Sequence, residues 1–332
     1  MVTYFEFLIV GFFALIKGAD MFVDGSSSIA KKFHVPGVII GLTIVAMGTS
    51  APELAVSISA ALQGSNEIAV SNVVGSNFFN ILVVLGLCSA IHPVPVTKDI
   101  IKKDMPVNIG ITALVLAVGA AGVLAGRQLG DITKIPMDQN VATFGHGLGF
   151  VLTAIFVVYI LFLIMQAKKN PTKDNEEKTE IMPMGKCIFC ILFGITLIVS
   201  GGEAVVYSAK NIALSFGMSE TLVGLTIVAV GTSLPELVTS IVAAGKGQVD
   251  MAVGNCVGSD IFNILLILGV SCAIHPIAVN FASICDLTIL LAGNILCLVF
   301  CITGKRINRG EGITMVGLYV AYMIFACVRE LG

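Results

Sequence analysis

The chain has 332 residues, 56% of them hydrophobic and 12% charged, with a mean hydropathy of +0.98. Soluble domains carry about 25% charged residues, so the composition excludes a soluble globular protein. It points instead to an all-α protein that crosses the membrane many times, with the lipid bilayer as its first partner. A net charge of −2 gives no reason to expect a nucleic-acid partner, and nothing in the chain requires an obligate protein partner.

A spanning helix needs about 20 apolar residues. Ten segments qualify: 3–30, 36–63, 67–91, 103–126, 142–168, 186–212, 219–246, 250–275, 281–303 and 309–331. The first has no basic residues ahead of it and carries Glu6, so it reads as a helix that inserts and stays, not as a signal peptide. Within it, Lys17 and Asp20 stand one turn apart and are expected to pair. The second is interrupted by Gly48, Thr49, Ser50 and Pro52 and carries one carboxylate, Glu53. The third contains SNVVGSNFFN at 71–80. The most polar linker, 169–185, holds the DNEE run and divides the chain into repeats at 1–168 and 186–332. Most of the nine cysteines fall within or at the ends of apolar segments, where thiols behave as small apolar groups. Cys187 and Cys190 form a lone CxxC with no second pair to complete a zinc site.

The seventh and eighth segments repeat the second and third. GLTIVAMGTSAPELAVSISA at 41–60 returns as GLTIVAVGTSLPELVTSIVA at 224–243, identical at fifteen of twenty positions with a constant offset of 183. The offset holds without a gap from Gly18/Gly201 to Pro93/Pro276. It matches Glu53 with Glu236, Ser76 with Ser259 and Asn80 with Asn263.

Orientation follows from the basic residues of short loops. With alternate loops grouped by side, fourteen Lys and Arg lie on one side and four on the other. The expectation is that both termini are extracytoplasmic and that the 169–185 linker is cytoplasmic. Because each repeat holds five helices, the second enters the membrane inverted relative to the first, an architecture of secondary transporters.

Proline removes a backbone donor, so helices 2 and 7 are expected to break at mid-membrane. Freed carbonyls, near Ala46 and Ala229, are tolerated there only where protein, water or a ligand satisfies them. Thr49, Ser50 and Glu53 are spaced to share a helix face, as are Thr232, Ser233 and Glu236. Ionisable groups at this depth mark function, and oxygen-only donors suit hard cations. The plainer reading is a pair of protonated, structural glutamates. Two acids at matched repeat positions, each beside hydroxyls, argue against it. Ser76 with Asn80, and Ser259 with Asn263, add polar groups on the neighbouring helices, where Gly75 and Gly258 permit close packing.

The doubled GTSxPE and GSxxFN segments resemble the two alpha repeats of the sodium/calcium exchanger family. The resemblance implies ten transmembrane helices in two inverted five-helix repeats, with helices 2 and 7 broken. It implies a site between helices 2, 3, 7 and 8 that takes one calcium or, alternately, about three sodium ions. Glu53 and Glu236 would be shared ligands. Thr49, Ser50, Thr232, Ser233, Ser76, Ser259 and the carbonyls of Ala46 and Ala229 would add oxygens. Asn80 and Asn263 would lie in the middle, and helices 1 and 6 would slide to alternate access. No cofactor is implied beyond the transported ions.

Asp260 departs from the family pattern, which has Asn there. It either joins the site as a third acid, bringing in potassium or a proton, or serves as a structural acceptor for neighbouring helices. The implied function is electrogenic sodium/calcium antiport, in the cell membrane and of prokaryotic, inner-membrane type. The near alternatives are a calcium/proton exchanger and a potassium-dependent sodium/calcium exchanger. A channel builds its filter from rings of like groups across subunits, and two inverted repeats in one chain argue for a transporter. An enzyme is not expected, since no nucleophile–base arrangement accompanies the buried acids.

Overall fold

The structure is a computed structural model and describes residues 2–63, 66–125, 135–169, 171, 182–217 and 229–331. The core of the 169–185 linker and residues 219–228 of the 219–246 segment therefore lie outside the described residues.

Helix α1 runs over Val2–Lys32. The second segment is a bent pair, α2 at Gly37–Thr49 and α3 at Ala51–Leu62, inclined by 50°. Next come α4 at Ala69–Ile91, α5 at Ile100–Leu124, α6 at His146–Lys169 and α7 at Met184–Ser215. The seventh segment appears as a short α8 at Ala229–Gly231 and α9 at Leu234–Gly245. The chain closes with α10 at Val249–Ile274, α11 at Phe281–Gly304 and α12 at Arg309–Leu331. Seven of the described helices are long and apolar enough to span a bilayer, and the bent pair makes eight.

Burial sorts the helices into layers. α4 and α10, matched by the repeat, are each 78% buried along their apolar windows, whereas α6 and α12 are 22% and 17% buried. Phe150, Val158 and Leu161 of α6 and Ile313, Ile324 and Val328 of α12 point outward. In lipid these outer faces meet acyl chains, so the apolar exterior of α6 and α12 is as expected for a bilayer.

Two antiparallel ribbons interrupt the all-helical pattern. β1 at Val94–Pro95 pairs with β4 at Arg306–Ile307, and β2 at Asn140–Phe144 pairs with β3 at Ile277–Asn280. Each ribbon joins a strand of the first half to one of the second. The start expected at 142 for the fifth segment is corrected here: Val141 and Thr143 are β-branched and alternate in a strand, and α6 begins at His146.

α1 and α7 lie against each other along glycines. A Cβ on Gly18 would come within 2.8 Å of the Gly194 carbonyl oxygen, and one on Gly194 within 2.8 Å of the Gly18 carbonyl. Gly11 and Gly201 meet in the same way one heptad along. Without side chains at these points, the backbones touch.

The pairing expected between Lys17 and Asp20 is not what the structure has. Asp20 and Asp24 of α1 both bind the ammonium of Lys246, which follows the last residue of α9; the Nζ–Asp20 Oδ1 distance is 2.7 Å. Lysine's four-carbon stem lets a residue distant in sequence outcompete a near one on the same helix.

Candidate cation site

The two GTSxPE segments break as the sequence leads one to expect, and the break organises the site. Ser50 has φ −84° and ψ 11°, outside the helical well, and Ser233 repeats it at −94° and 7°. Pro52 and Pro235 then sit in the first turns of α3 and α9, where the missing N–H costs nothing. Glu53 and Glu236 fall in those same first turns, at the positive end of a helix dipole. Both carboxylates are buried, at 0% and 1% exposure, with no basic residue in contact among the described residues.

The hydroxyls of Ser50 and Ser233 each reach the acid of the other half. Ser50 Oγ donates to Glu236 Oε1 at 2.7 Å, and Ser233 Oγ lies 3.2 Å from Glu53 Oε1 and 3.1 Å from Ser76 Oγ. Ser76 Oγ approaches Glu53 Oε1 at 3.5 Å. Each acid is thus held by the other repeat's serine. The second carboxylate oxygens, Glu53 Oε2 and Glu236 Oε2, meet no donor among the described residues.

Ser259 Oγ, Asn80 Oδ1 and Asn263 Oδ1 are likewise buried without a donor among the described residues. Asn80 and Asn263 stand at π-helical turns, Phe79–Val84 and Asn263–Leu268, where an extra residue per turn shifts a side chain off its helical row. Asn263 Nδ2 donates to Asn77 Oδ1 at 2.9 Å. The Ala46 carbonyl is not left free by the break: it accepts from the Ser50 N–H at 3.0 Å and lies 3.3 Å from Thr49 Oγ1. Thr49 is buried and donates to Asn255 Oδ1 at 3.0 Å. Thr232 is half-buried, and Ala229 opens α8, its side chain outside the described residues.

Asp260 is buried; Oδ2 of its carboxylate meets another helix, while Oδ1, like the glutamate Oε2 atoms, has no donor among the described residues. Asn108 of α5 donates to Asp260 Oδ2 at 3.2 Å, and Asn77 donates to the Asp260 carbonyl at 3.2 Å. From Asn108 the polar seam runs on through Thr112 to Asn294 of α11. Sequence reasoning singled out neither Asn108 nor the pair Asn72 and Asn255. The latter carried a signal, being identical at the 183 offset within the SNVVGS and GNCVGS segments.

No described cluster holds three or more His, Cys, Asp or Glu side chains able to bind a metal. A cation here would be held by two acids together with hydroxyl and amide oxygens, a hard donor set without sulfur or imidazole.

The family model described as sodium/calcium exchanger protein matches residues 3–165 and 186–328. The chain belongs to that family. The sodium/calcium exchanger MaX1 of Methanosarcina acetivorans is 32% identical to this exchanger over 341 residues, spanning 96% of this chain and 97% of its own. The inner membrane protein YrbG of Escherichia coli is 33% identical over 323 residues, with 95% and 94% covered. A solved sodium-calcium exchanger, NCX_Mj, superposes with a TM-score of 0.80 at 28% identity, covering 98% of both chains. The exchanger is therefore a cation/calcium antiporter with the inverted-repeat fold of that family.

Proposed function

We propose that this antiporter exchanges about three sodium ions for one calcium ion by alternating access. The observation that carries the reading is the crosswise pairing of Ser50 with Glu236 and Ser233 with Glu53. It draws two buried carboxylates, one from each inverted repeat, around one shared point, with Oε2 of each meeting no donor among the described residues. Two carboxylates carry −2, which one calcium neutralises. Glu53 and Glu236 would be the shared ligands. Thr49, Ser50, Thr232, Ser233, Ser76 and Ser259 and the carbonyls of Ala46 and Ala229 would supply further oxygens, mainly to sodium. Asn80 and Asn263 would occupy the middle position. MaX1 and NCX_Mj, named as sodium/calcium exchangers, support the choice of ions, the latter from crystals soaked with sodium and calcium.

We assign Asp260 a structural role, since Asn108 and the seam behind it engage Oδ2 of its carboxylate. We place the protein in a prokaryotic inner membrane with both termini outside, on the fourteen-to-four distribution of basic residues and the naming of YrbG. Repeats at 1–168 and 186–332 would then be joined by a cytoplasmic linker at 169–185.

Three sodium ions against one calcium move about one net charge per cycle, coupled to voltage by roughly 2.3 kcal/mol per 100 mV. In sodium-loaded proteoliposomes, calcium entry then carries positive charge outward. An imposed inside-positive potential should accelerate uptake and an inside-negative one slow it. Uptake indifferent to voltage overturns the stoichiometry. Uptake driven by a pH gradient without sodium, or only with potassium present, moves the assignment to the proton-coupled or potassium-dependent exchangers.

A further inference from the structure

The strongest unassigned feature is a pair of amides behind the site. Asn72 of α4 donates through Nδ2 to the Glu53 carbonyl at 3.2 Å and to Ser57 Oγ at 2.9 Å. Its repeat mate Asn255 of α10 donates through Nδ2 to the Glu236 carbonyl at 3.4 Å and to Ser240 Oγ at 2.9 Å. The same three-residue arrangement therefore occurs twice, at the 183 offset, and fixes the first turn that carries each carboxylate. A carbonyl only accepts, so the amide orientation is set: Nδ2 faces Glu, and Oδ1 faces away.

The two amides differ in what Oδ1 does. Asn255 Oδ1 accepts from Thr49 Oγ1 at 3.0 Å, so one side chain joins helix 7 to the hydroxyl of helix 2. Among the described residues no such bond joins Asn72 to Thr232. Asn255 and Thr49 are fully buried, whereas Asn72 and Thr232 are partly exposed. A hydroxyl that ligates a cation must aim its proton elsewhere, and a hydroxyl has one proton and two lone pairs. Of the acceptors near Thr49 Oγ1, the Val45 and Ala46 carbonyls lie at 3.1 and 3.3 Å and Asn255 Oδ1 at 3.0 Å, so the amide is the nearest that can take that proton.

We propose that Asn255 and Asn72 are positioning residues of the cation site, each orienting the threonine of the opposite repeat, Thr49 and Thr232 respectively, when its own side of the protein is closed. In an inverted-repeat transporter the two access states exchange the conformations of the repeats. The bond seen between Asn255 and Thr49 then opens as the Asn72–Thr232 bond forms. This inference rests on the proposed reading of the threonines as cation ligands.

The test is a pair of double-mutant cycles on purified, reconstituted protein, reading half-saturating sodium, half-saturating calcium and maximal rate separately. Asn255→Leu should raise half-saturating sodium by about tenfold, the worth of one well-placed hydrogen bond. Thr49→Val should do the same, Thr49→Ser should restore it, and the two losses should not add. Asn72→Leu and Thr232→Val should be coupled likewise, while the crossed pairs Asn255/Thr232 and Asn72/Thr49 should add. Where Asn255→Leu yields no monodisperse protein, Asn255→Ser takes its place, keeping a polar group while shortening the side chain. A full additional loss from Asn255→Leu in the Thr49→Val background overturns the clamp, as does wild-type sodium affinity in Asn255→Leu. Additivity of Asn72 and Thr232 overturns its exchange between repeats. If wild-type uptake needs no sodium, the proposed function fails by itself, and the same cycles read on calcium half-saturation decide the clamp.

Discussion

At the scale of single residues, Ser50 and Ser233 matter because a buried carboxylate without donors is costly. Each supplies a hydroxyl to the acid of the other half. Ser50→Ala removes the shorter bond, and is expected to weaken calcium half-saturation by roughly tenfold, since hydrogen bonds to charged groups are worth about 1.5–3 kcal/mol. Ser233→Ala is expected to cost less, because its bond is longer and Ser76 remains near Glu53. Equal losses measured in reconstituted protein would contradict the geometry. Asp260→Asn should leave sodium and calcium half-saturation within about threefold of wild type, while Asn108→Leu, which strands a buried carboxylate, should lower thermal stability by about 1–3 kcal/mol. A strong sodium or potassium phenotype in Asp260→Asn would return that residue to the site. At this scale the sequence displayed the two acids, the hydroxyls and the amides through their repetition. It hid their pairing, because helical spacing rules stop applying where Ser50 leaves the helix. It hid Asn108 as well, which belongs to no repeated motif and meets Asp260 only through tertiary packing.

At the scale of elements, the break, the paired half-helices and nearly all the helix positions were legible, because glycine, proline and a continuous apolar run act locally. The ribbons were not, since their partners are distant: Phe144 pairs with Ile277 and Val94 with Ile307. Helices α1 and α7 were expected to slide across the rest of the core, and the glycines at which they touch give that expectation a test. Gly18→Val places a branched side chain against the Gly194 backbone. Overpacking of this kind costs about 1–3 kcal/mol, so exchange should slow by about tenfold or more while the protein still binds calcium. Unchanged turnover would mean that the close packing of these two helices is not needed for exchange. Lys246 ties the end of α9 to α1 through Asp20 and Asp24. Partial burial pushes its ammonium pKa down, but the hydrogen bonds and charges of the two aspartates outweigh this and hold it above the ordinary lysine value. A raised pKa means the tie is fully present below the ordinary lysine range and is lost only as pH rises through the raised value. It should therefore contribute no pH dependence between about pH 6 and 9. The pair is well exposed, so Lys246→Gln should change stability by under about 1 kcal/mol. If the tie must open for α1 to move, the same variant should speed exchange by up to about fivefold. Slower exchange would mean that Lys246 and α1 travel together.

For the whole molecule, inversion of the repeats turns local chemistry into transport. The inverted repeats bring two like segments together, so each buried acid meets the serine of the other half. The repeat was readable as an offset of 183, and the crossing of the two serines is its three-dimensional consequence. The central claim, that Glu53 and Glu236 together hold calcium in exchange for sodium, is tested most directly by radioactive calcium uptake. Sodium-loaded proteoliposomes would be diluted into sodium-free buffer, with Glu53→Gln and Glu236→Gln as separate variants. The account requires uptake that depends on the sodium gradient and is lost in both variants. Sodium-dependent uptake that survives either substitution would contradict it.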